Sequence, residues 1–202
     1  NGLSAMKKKI AVVGLGNICE KAYMPVLGGK NNIALMLYNR SPEPLAEMQE
    51  KYRVDYGTND LDQLISDQPE GAFVLTASDS HYSIIKKLLE NGIDVFVEKP
   101  ATTHAYETKE LAELADRKGR ILMVAFNRRY APLHTRAKEL WGGKPVGLGI
   151  FRKFRSSPSL PTISGQFYDD TIHQIDLLRY FCGEGKVESA VCHADGDNLV
   201  SA

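Results

Sequence analysis

The chain has 202 residues, 43% hydrophobic and 25% charged, a globular composition with length enough for one complete domain and part of another. Lysine plus arginine and aspartate plus glutamate each number 25, so no basic excess points to nucleic acid or to an anionic membrane surface. The longest apolar run, Ile10 through Gly16, is far too short to span a bilayer.

Lys7-Lys8-Lys9 ahead of that run resembles the start of a signal peptide. Asn17 and Glu20 break the apolar stretch and no cleavage-like site follows, so the lysines read as the lead into a buried strand. Asn1–Ala5 precede Met6 and are left out of the fold reading. Cys19, Cys182 and Cys192 are widely spaced and form no C-x-x-C pair, which fits thiols in a reducing compartment and a cytoplasmic location. The five histidines show no ligand spacing, so no metal is expected.

In chain order, the first element is a strand, Ile10–Gly14. It runs into Val13-Gly14-Leu15-Gly16-Asn17-Ile18-Cys19 at the point where a helix opens, the context that a dinucleotide fingerprint requires. Gly14 permits the tight turn, and Gly16 lets backbone approach a pyrophosphate. Asn17 and Ile18 begin the helix whose N–H groups face its charge. Cys19 replaces the third glycine with another small residue. A second strand, Ile33–Tyr38, ends in Asn39-Arg40-Ser41, where an NAD enzyme usually places an acid against the ribose 2′-hydroxyl. Asn39 brings no repelling charge, and Arg40 with Ser41 suits a 2′-phosphate, so the residues favour NADP(H) over NAD(H). Ser41 also precedes Pro42 as the N-cap of a helix carrying Leu45, Met48 and Tyr52.

A weaker strand is expected near Val54–Tyr56. Asp60 caps a short helix with Leu61, Leu64 and Ile65. The strand Ala72–Thr76 leads to a helix whose stripe of Ile84, Ile85, Leu88 and Leu89 stops at Asn91-Gly92. The strand Asp94–Val97 ends at Glu98-Lys99-Pro100, and the proline keeps Lys99 out of the helical region at the carboxyl edge of the sheet. Thr102 or Thr103 opens a helix with Leu111, Leu114 and Ala115 inward and Gly119 at its end, before the strand Ile121–Val124. These nearly continuous apolar strands alternating with helices predict a doubly wound parallel sheet of the Rossmann kind, in the order 3-2-1-4-5-6, over residues 6–125.

From residue 126 to 202 the pattern changes to an incomplete α+β second domain. A helix over Leu133–Leu140, a Gly142-Gly143 turn, a strand over Val146–Phe154 and a Ser- and Pro-rich loop over Ser156–Gly165 are expected in turn. A helix over Asp170–Phe181 and strands at Val187–His193 and from Asn198 follow. Asp169 and His173 are four apart and Asp170 and His173 three apart, so either pair can share a helical face as an acid–base couple. An aspartate N-cap and a structural histidine would leave the same pattern.

The ordered set G-x-G, E-K-P and D-x-x-x-H resembles the Gfo/Idh/MocA oxidoreductases. Thr76-Ala77-Ser78, His81 and Phe126-Asn127-Arg128-Arg129-Tyr130 extend the likeness, and Asp169-Asp170-x-Ile172-His173 further resembles the MviM, virulence-factor-like branch. The resemblance implies hydride transfer between NADP(H), or NAD(H), and a hydroxyl of a sugar or polyol, with association into homo-oligomers through the second domain. It implies Lys99, Asp169 and His173 as the catalytic group, converging on one cleft. Gly14, Gly16, Asn17, Ile18, Asn39, Arg40, Ser41, Thr76, Ser78, His81, Glu98 and Lys99 would be the cofactor contacts. Thr171 departs from the glycine that many members carry. A dinucleotide-sensing protein without turnover is the alternative that the same fold allows.

Overall fold

The computed structural model describes residues 7–152, 167–191, 193–195 and 198–201, and the chain divides into two compact units, residues 1–125 and 126–202. The first unit is built on six strands: β1 (Lys8–Val13), β2 (Ile33–Tyr38), β3 (Tyr56–Thr58), β4 (Gly71–Val74), β5 (Asp94–Val97) and β6 (Leu122–Val124). They lie in the order β3-β2-β1-β4-β5-β6, every neighbouring pair parallel. Val13 pairs with both Tyr38 and Val74, so the carboxyl ends of the three central strands are level.

The helices of this unit are α1 (Met24–Leu27), α2 (Pro42–Tyr52), α3 (Leu61–Ser66), α4 (Ser78–Glu90) and α5 (Ala105–Lys118). Strand geometry sends successive side chains to opposite faces, and β1 feeds two cores. Ala11 and Val13 join Val74, Ile85, Leu88 and Leu111, the side covered by α4 and α5. Val12 joins Leu37, Cys19, Met24, Leu45 and Met48, the side covered by α2 and the turn after β1. Burial on both faces is why the central strands carry almost no polar residue. Each fully buried Val or Leu contributes roughly 1.5–3 kcal/mol of transfer free energy.

Several boundaries depart from the sequence expectation, each for a local reason. β1 ends at Val13 because Gly14 turns away with φ +95°. β4 stops at Val74, two residues before Thr76, as the chain swings into α4. β3 begins at Tyr56 rather than Val54. The Val54 N–H donates to the Gln49 carbonyl at the end of α2, and Gln49 Nε2 donates to the Val54 and Asp55 carbonyls, so those groups are taken from the ladder. α5 starts at Ala105, not at Thr102 or Thr103, because the Thr102 hydroxyl donates to the His104 carbonyl and lies 2.7 Å from Thr108 Oγ1, holding an extended lead-in. Ser41 occupies the N-cap of α2 with extended backbone, yet its hydroxyl makes no capping bond.

The second unit contains a 3₁₀ turn (Asn127–Tyr130), α6 (Pro132–Trp141), a π-helical turn (Phe167–Thr171), α7 (Ile172–Cys182) and an antiparallel pair, β7 (His193–Asp195) with β8 (Asn198–Ser201). Arg129 Nε donates to both carboxylate oxygens of Asp176, at 2.9 and 2.8 Å, and the Arg129 guanidinium lies over the Tyr180 ring; this ties the 3₁₀ turn to α7. The strand expected over Val146–Phe154 is absent from residues 146–152, and among the described residues no strand pairs with them; a strand has no backbone partners without a neighbour. The strand expected over Val187–His193 begins only at His193, where pairing with Ser201 begins. The loop Ser156–Gly165 and Cys192 lie outside the described residues.

Candidate functional site

A cleft of about 470 Å³ opens at the carboxyl ends of β1, β2 and β4. It lies where strand order reverses between β1 and β4, the position at which open α/β sheets bind ligands. Its rim is built by three loops. The first is Gly14-Leu15-Gly16. Gly14 is glycine by necessity, since a Cβ there would come within 2.7 Å of Thr76 Cγ2 and 2.9 Å of the Thr76 nitrogen, at a positive φ. Gly16 is different: a Cβ would meet no atom within 4 Å. The chain does not need the absence of a side chain at Gly16, but a pyrophosphate approaching the backbone would.

The second loop is Asn39-Arg40-Ser41. Asn39 Oδ1 accepts from the Leu15 N–H at 3.1 Å, and its Nδ2 donates to the Ser41 carbonyl at 3.0 Å, so this side chain braces the glycine loop against the end of β2. Arg40 is exposed on the cleft wall and, among the described residues, makes no ion pair. The third wall is Thr76 and the first turns of α4, where Asp79, Ser80, Ser83 and Ile84 face the cleft. Ser80 is fixed by its hydroxyl, which donates to the Ala77 carbonyl at 2.7 Å and lies 2.8 Å from Thr76 Oγ1. The fold and this cleft fit a dinucleotide: Gly14 and Gly16 would hold its pyrophosphate, and Arg40 and Ser41 the ribose end.

Gly14, Gly16, Asn39, Arg40, Ser41 and Thr76 thus line one cleft, whereas Asn17, Ile18, Ser78, His81, Glu98 and Lys99 do not. His81 is 1% exposed, with Nδ1 2.8 Å from the Pro100 carbonyl oxygen and Nε2 3.0 Å from that of Thr76. A side chain so enclosed holds loops together. Asp79, Ser80 and Ser83 were not singled out from sequence and Ile84 was read there only as part of a helix stripe, although the i, i+4 spacing of the four at the head of the helix after β4 was a usable signal.

At the end of β5, the Glu98 N–H still donates to the Val74 carbonyl, and Lys99 follows half-buried, joined to Pro100 by a cis peptide. Glu98 folds back on its own turn: Oε2 accepts the Lys99 N–H at 3.2 Å, and Oε1 accepts the hydroxyl of Tyr23. Tyr23 ends a π-helical turn, Cys19–Tyr23, and packs between Phe73 and Phe96. Burial first, and the bond to Glu98 second, push the Tyr23 phenol well above its ordinary value. Cys19, at the third-glycine position, is fully buried, and burial followed by the Glu20 charge pushes its thiol up to about 12.

In the second unit, Asp169 lies within the π-helical turn and is exposed, and His173 lies in the first turn of α7 at 8% exposure. The helical backbone begins at Phe167 rather than Asp170, and the N-cap of α7 is Thr171 without a side-chain bond. Among the described residues no group of His, Cys, Asp and Glu could hold a metal, and no helix is long and apolar enough to cross a membrane.

Residues 8–126 match the family model GFO_IDH_MocA, described as an oxidoreductase family with an NAD-binding Rossmann fold. The chain is 30% identical over 200 residues to myo-inositol 2-dehydrogenase of Thermotoga maritima, covering 95% of this chain and 59% of that one. It is 33% identical over 121 residues to scyllo-inositol 2-dehydrogenase (NAD(+)) of Bacillus subtilis, covering 56% and 35%. The crystal structure of a dehydrogenase, MviM, from Clostridium difficile superposes with TM-score 0.81 at 26% identity, over 96% of this chain and 64% of that one. MviM is one of several such relatives, and this chain spans less than two-thirds of the length of each. A family match over more than half of its residues, on a six-stranded parallel sheet with the glycine loop at the switch point, places the chain in the Gfo/Idh/MocA oxidoreductase family.

Proposed function

We propose that the chain carries the cofactor half of a dehydrogenase that oxidises a secondary hydroxyl of a cyclic polyol or sugar, with NADP(H) favoured over NAD(H). The observation that carries this reading is the cleft over Gly16, open where only a ligand needs room. The inositol dehydrogenases among its relatives support a polyol as the substrate class. When bound, the nicotinamide supplies or accepts the hydride.

The chain's own residues handle the proton and the charge. His173 takes the hydroxyl proton as general base, the side chain most often found in that role. Lys99 stabilises the alkoxide that develops as the proton leaves. Asp169 orients His173 or holds a neighbouring hydroxyl. Arg40 reads the 2′-phosphate, since no carboxylate stands at the end of β2 and Asn39 is committed to bracing the glycine loop.

Fluorescence titration with NADPH and NADH tests the cofactor assignment. NADPH should bind more tightly, and Arg40→Ala should weaken NADPH by about tenfold, the value of one charge-assisted contact. NADH binding should stay within about twofold. Equal affinities in the unmodified chain, or an Arg40→Ala chain that keeps its NADPH affinity, would overturn it.

A further inference from the structure

The E-K-P turn is gripped on both sides of its lysine by residues that no part of the proposed chemistry uses. On the N-terminal side, the Tyr23 hydroxyl donates to Glu98 Oε1 while Glu98 Oε2 accepts the Lys99 N–H, so the carboxylate links the Tyr23 ring to the lysine backbone. That ring is fixed by Phe73 on β4 and Phe96 on β5, with centroids 5.8 and 6.1 Å away. On the C-terminal side, the Pro100 carbonyl oxygen lies 2.8 Å from His81 Nδ1, and His81 Nε2 reaches back to the Thr76 carbonyl at 3.0 Å. His81 is 1% exposed, so its ring has no room to turn to another partner.

The origin of these two grips gives them meaning. Tyr23 stands at the end of the π-helical turn that follows the glycine loop, and π turns recur at functional sites. His81 is anchored to Thr76, which lines the dinucleotide cleft and whose backbone packs against Gly14. His81 thus runs from a residue that lines the cleft, and Tyr23 from the turn that follows the glycine loop, to a residue next to Lys99.

We propose that Tyr23 and His81 are positioning residues that hold Lys99 in register with the dinucleotide cleft, Tyr23 through the Glu98 carboxylate and His81 through the Pro100 carbonyl. The inference rests on the reading of Lys99 given above, and it adds the two side chains that would make the lysine a fixed rather than a mobile charge. A preorganised donor is effective because it need not reorganise as charge develops.

Tyr23→Phe removes one oxygen and leaves the aromatic packing in place. Amide hydrogen exchange measured on the whole chain should show the Lys99 N–H exchanging about tenfold faster, the worth of one hydrogen bond to a charged group. Amides of β1 and β4 should stay unchanged. His81→Asn, which shortens the reach to Pro100, should loosen the same turn. In turnover assays Tyr23→Phe should lower kcat about three- to tenfold, with dinucleotide Kd moved by no more than about twofold.

Unchanged exchange at Lys99 in Tyr23→Phe, or acceleration shared equally by β1, would overturn the proposal, since Tyr23 would then be part of the scaffold only. Lys99→Ala separates this from the parent reading. If Lys99→Ala keeps full turnover while Tyr23→Phe still loosens the turn, the catalytic reading of Lys99 fails and the brace stands. If Lys99→Ala is inactive and Tyr23→Phe alters neither exchange nor kcat, the brace fails alone.

Discussion

Gly14 and Gly16 are two residues apart and are glycine for different reasons, so the same substitution should separate them. At Gly14 an added methyl collides with Thr76 and forces a side chain into positive φ. Gly14→Ala should therefore destabilise the chain by about 2 kcal/mol or more, read as a fall in melting temperature. Gly16→Ala should leave the melting temperature nearly unchanged and weaken dinucleotide binding by about tenfold or more, because the methyl projects into open space. The opposite pattern would move the pyrophosphate elsewhere. Cys19 gives a second residue-scale expectation. Its thiolate is suppressed by burial, and the thiolate is the form that reacts. Peptide mass spectrometry after alkylation at mildly alkaline pH should find exposed Cys182 labelled and Cys19 untouched until the chain is denatured. Rapid labelling of Cys19 in the folded chain would contradict its placement in the core. The glycine pattern was readable because it stands between an apolar strand and a helix start, although the clash that makes Gly14 obligatory is with Thr76, just past the end of β4 and invisible in the local sequence. Asn39 was identified as the missing acid, but its bond to the Leu15 N–H, 24 positions back, was not readable, since a hydrogen bond between loops leaves no local pattern.

At the scale of elements, the central strands were legible because they bury both faces, while the edge strands β3 and β6 hold no buried residue. The exact starts of β3 and α5 were not, because side chains such as Gln49 and Thr102 compete for backbone groups there. The second unit was harder. Its 3₁₀ and π turns have no 3.6-residue stripe to detect, and Asp169 and Asp170 looked like caps while the helical backbone runs through them. The bond between Arg129 and Asp176 spans 47 positions and carries no periodic signal, yet it fixes the start of the unit to the helix that bears His173. Asp176 is 4% exposed and Arg129 a third exposed. Breaking a fully buried pair costs about 3–5 kcal/mol, and solvent around Arg129 lowers that, so Asp176→Asn should cost roughly 2 kcal/mol by denaturant unfolding. A loss below about 0.5 kcal/mol would show the pair to be a surface contact in effect.

For the molecule as a whole, the strand order β3-β2-β1-β4-β5-β6 follows the sequence reading, because alternating strands and helices with right-handed crossovers leave few alternatives. The same topology sets the glycine loop, the Asn39 loop and the head of α4 around one cleft. Which hydroxyl the proposed dehydrogenase would oxidise was not legible, since specificity depends on side-chain placement beyond any motif. In the proposed reaction a dinucleotide held in this cleft is reduced by a polyol while Lys99 stabilises the alkoxide. That reaction is tested most directly by following reduced nicotinamide absorbance with myo- and scyllo-inositol and both oxidised cofactors, for the unmodified protein and for Lys99→Ala. Reduction with a polyol is expected, with kcat lower by about a hundredfold or more in Lys99→Ala and dinucleotide affinity changed far less. Turnover in Lys99→Ala equal to that of the unmodified protein would contradict it, as would tight dinucleotide binding with no oxidation of any polyol or sugar.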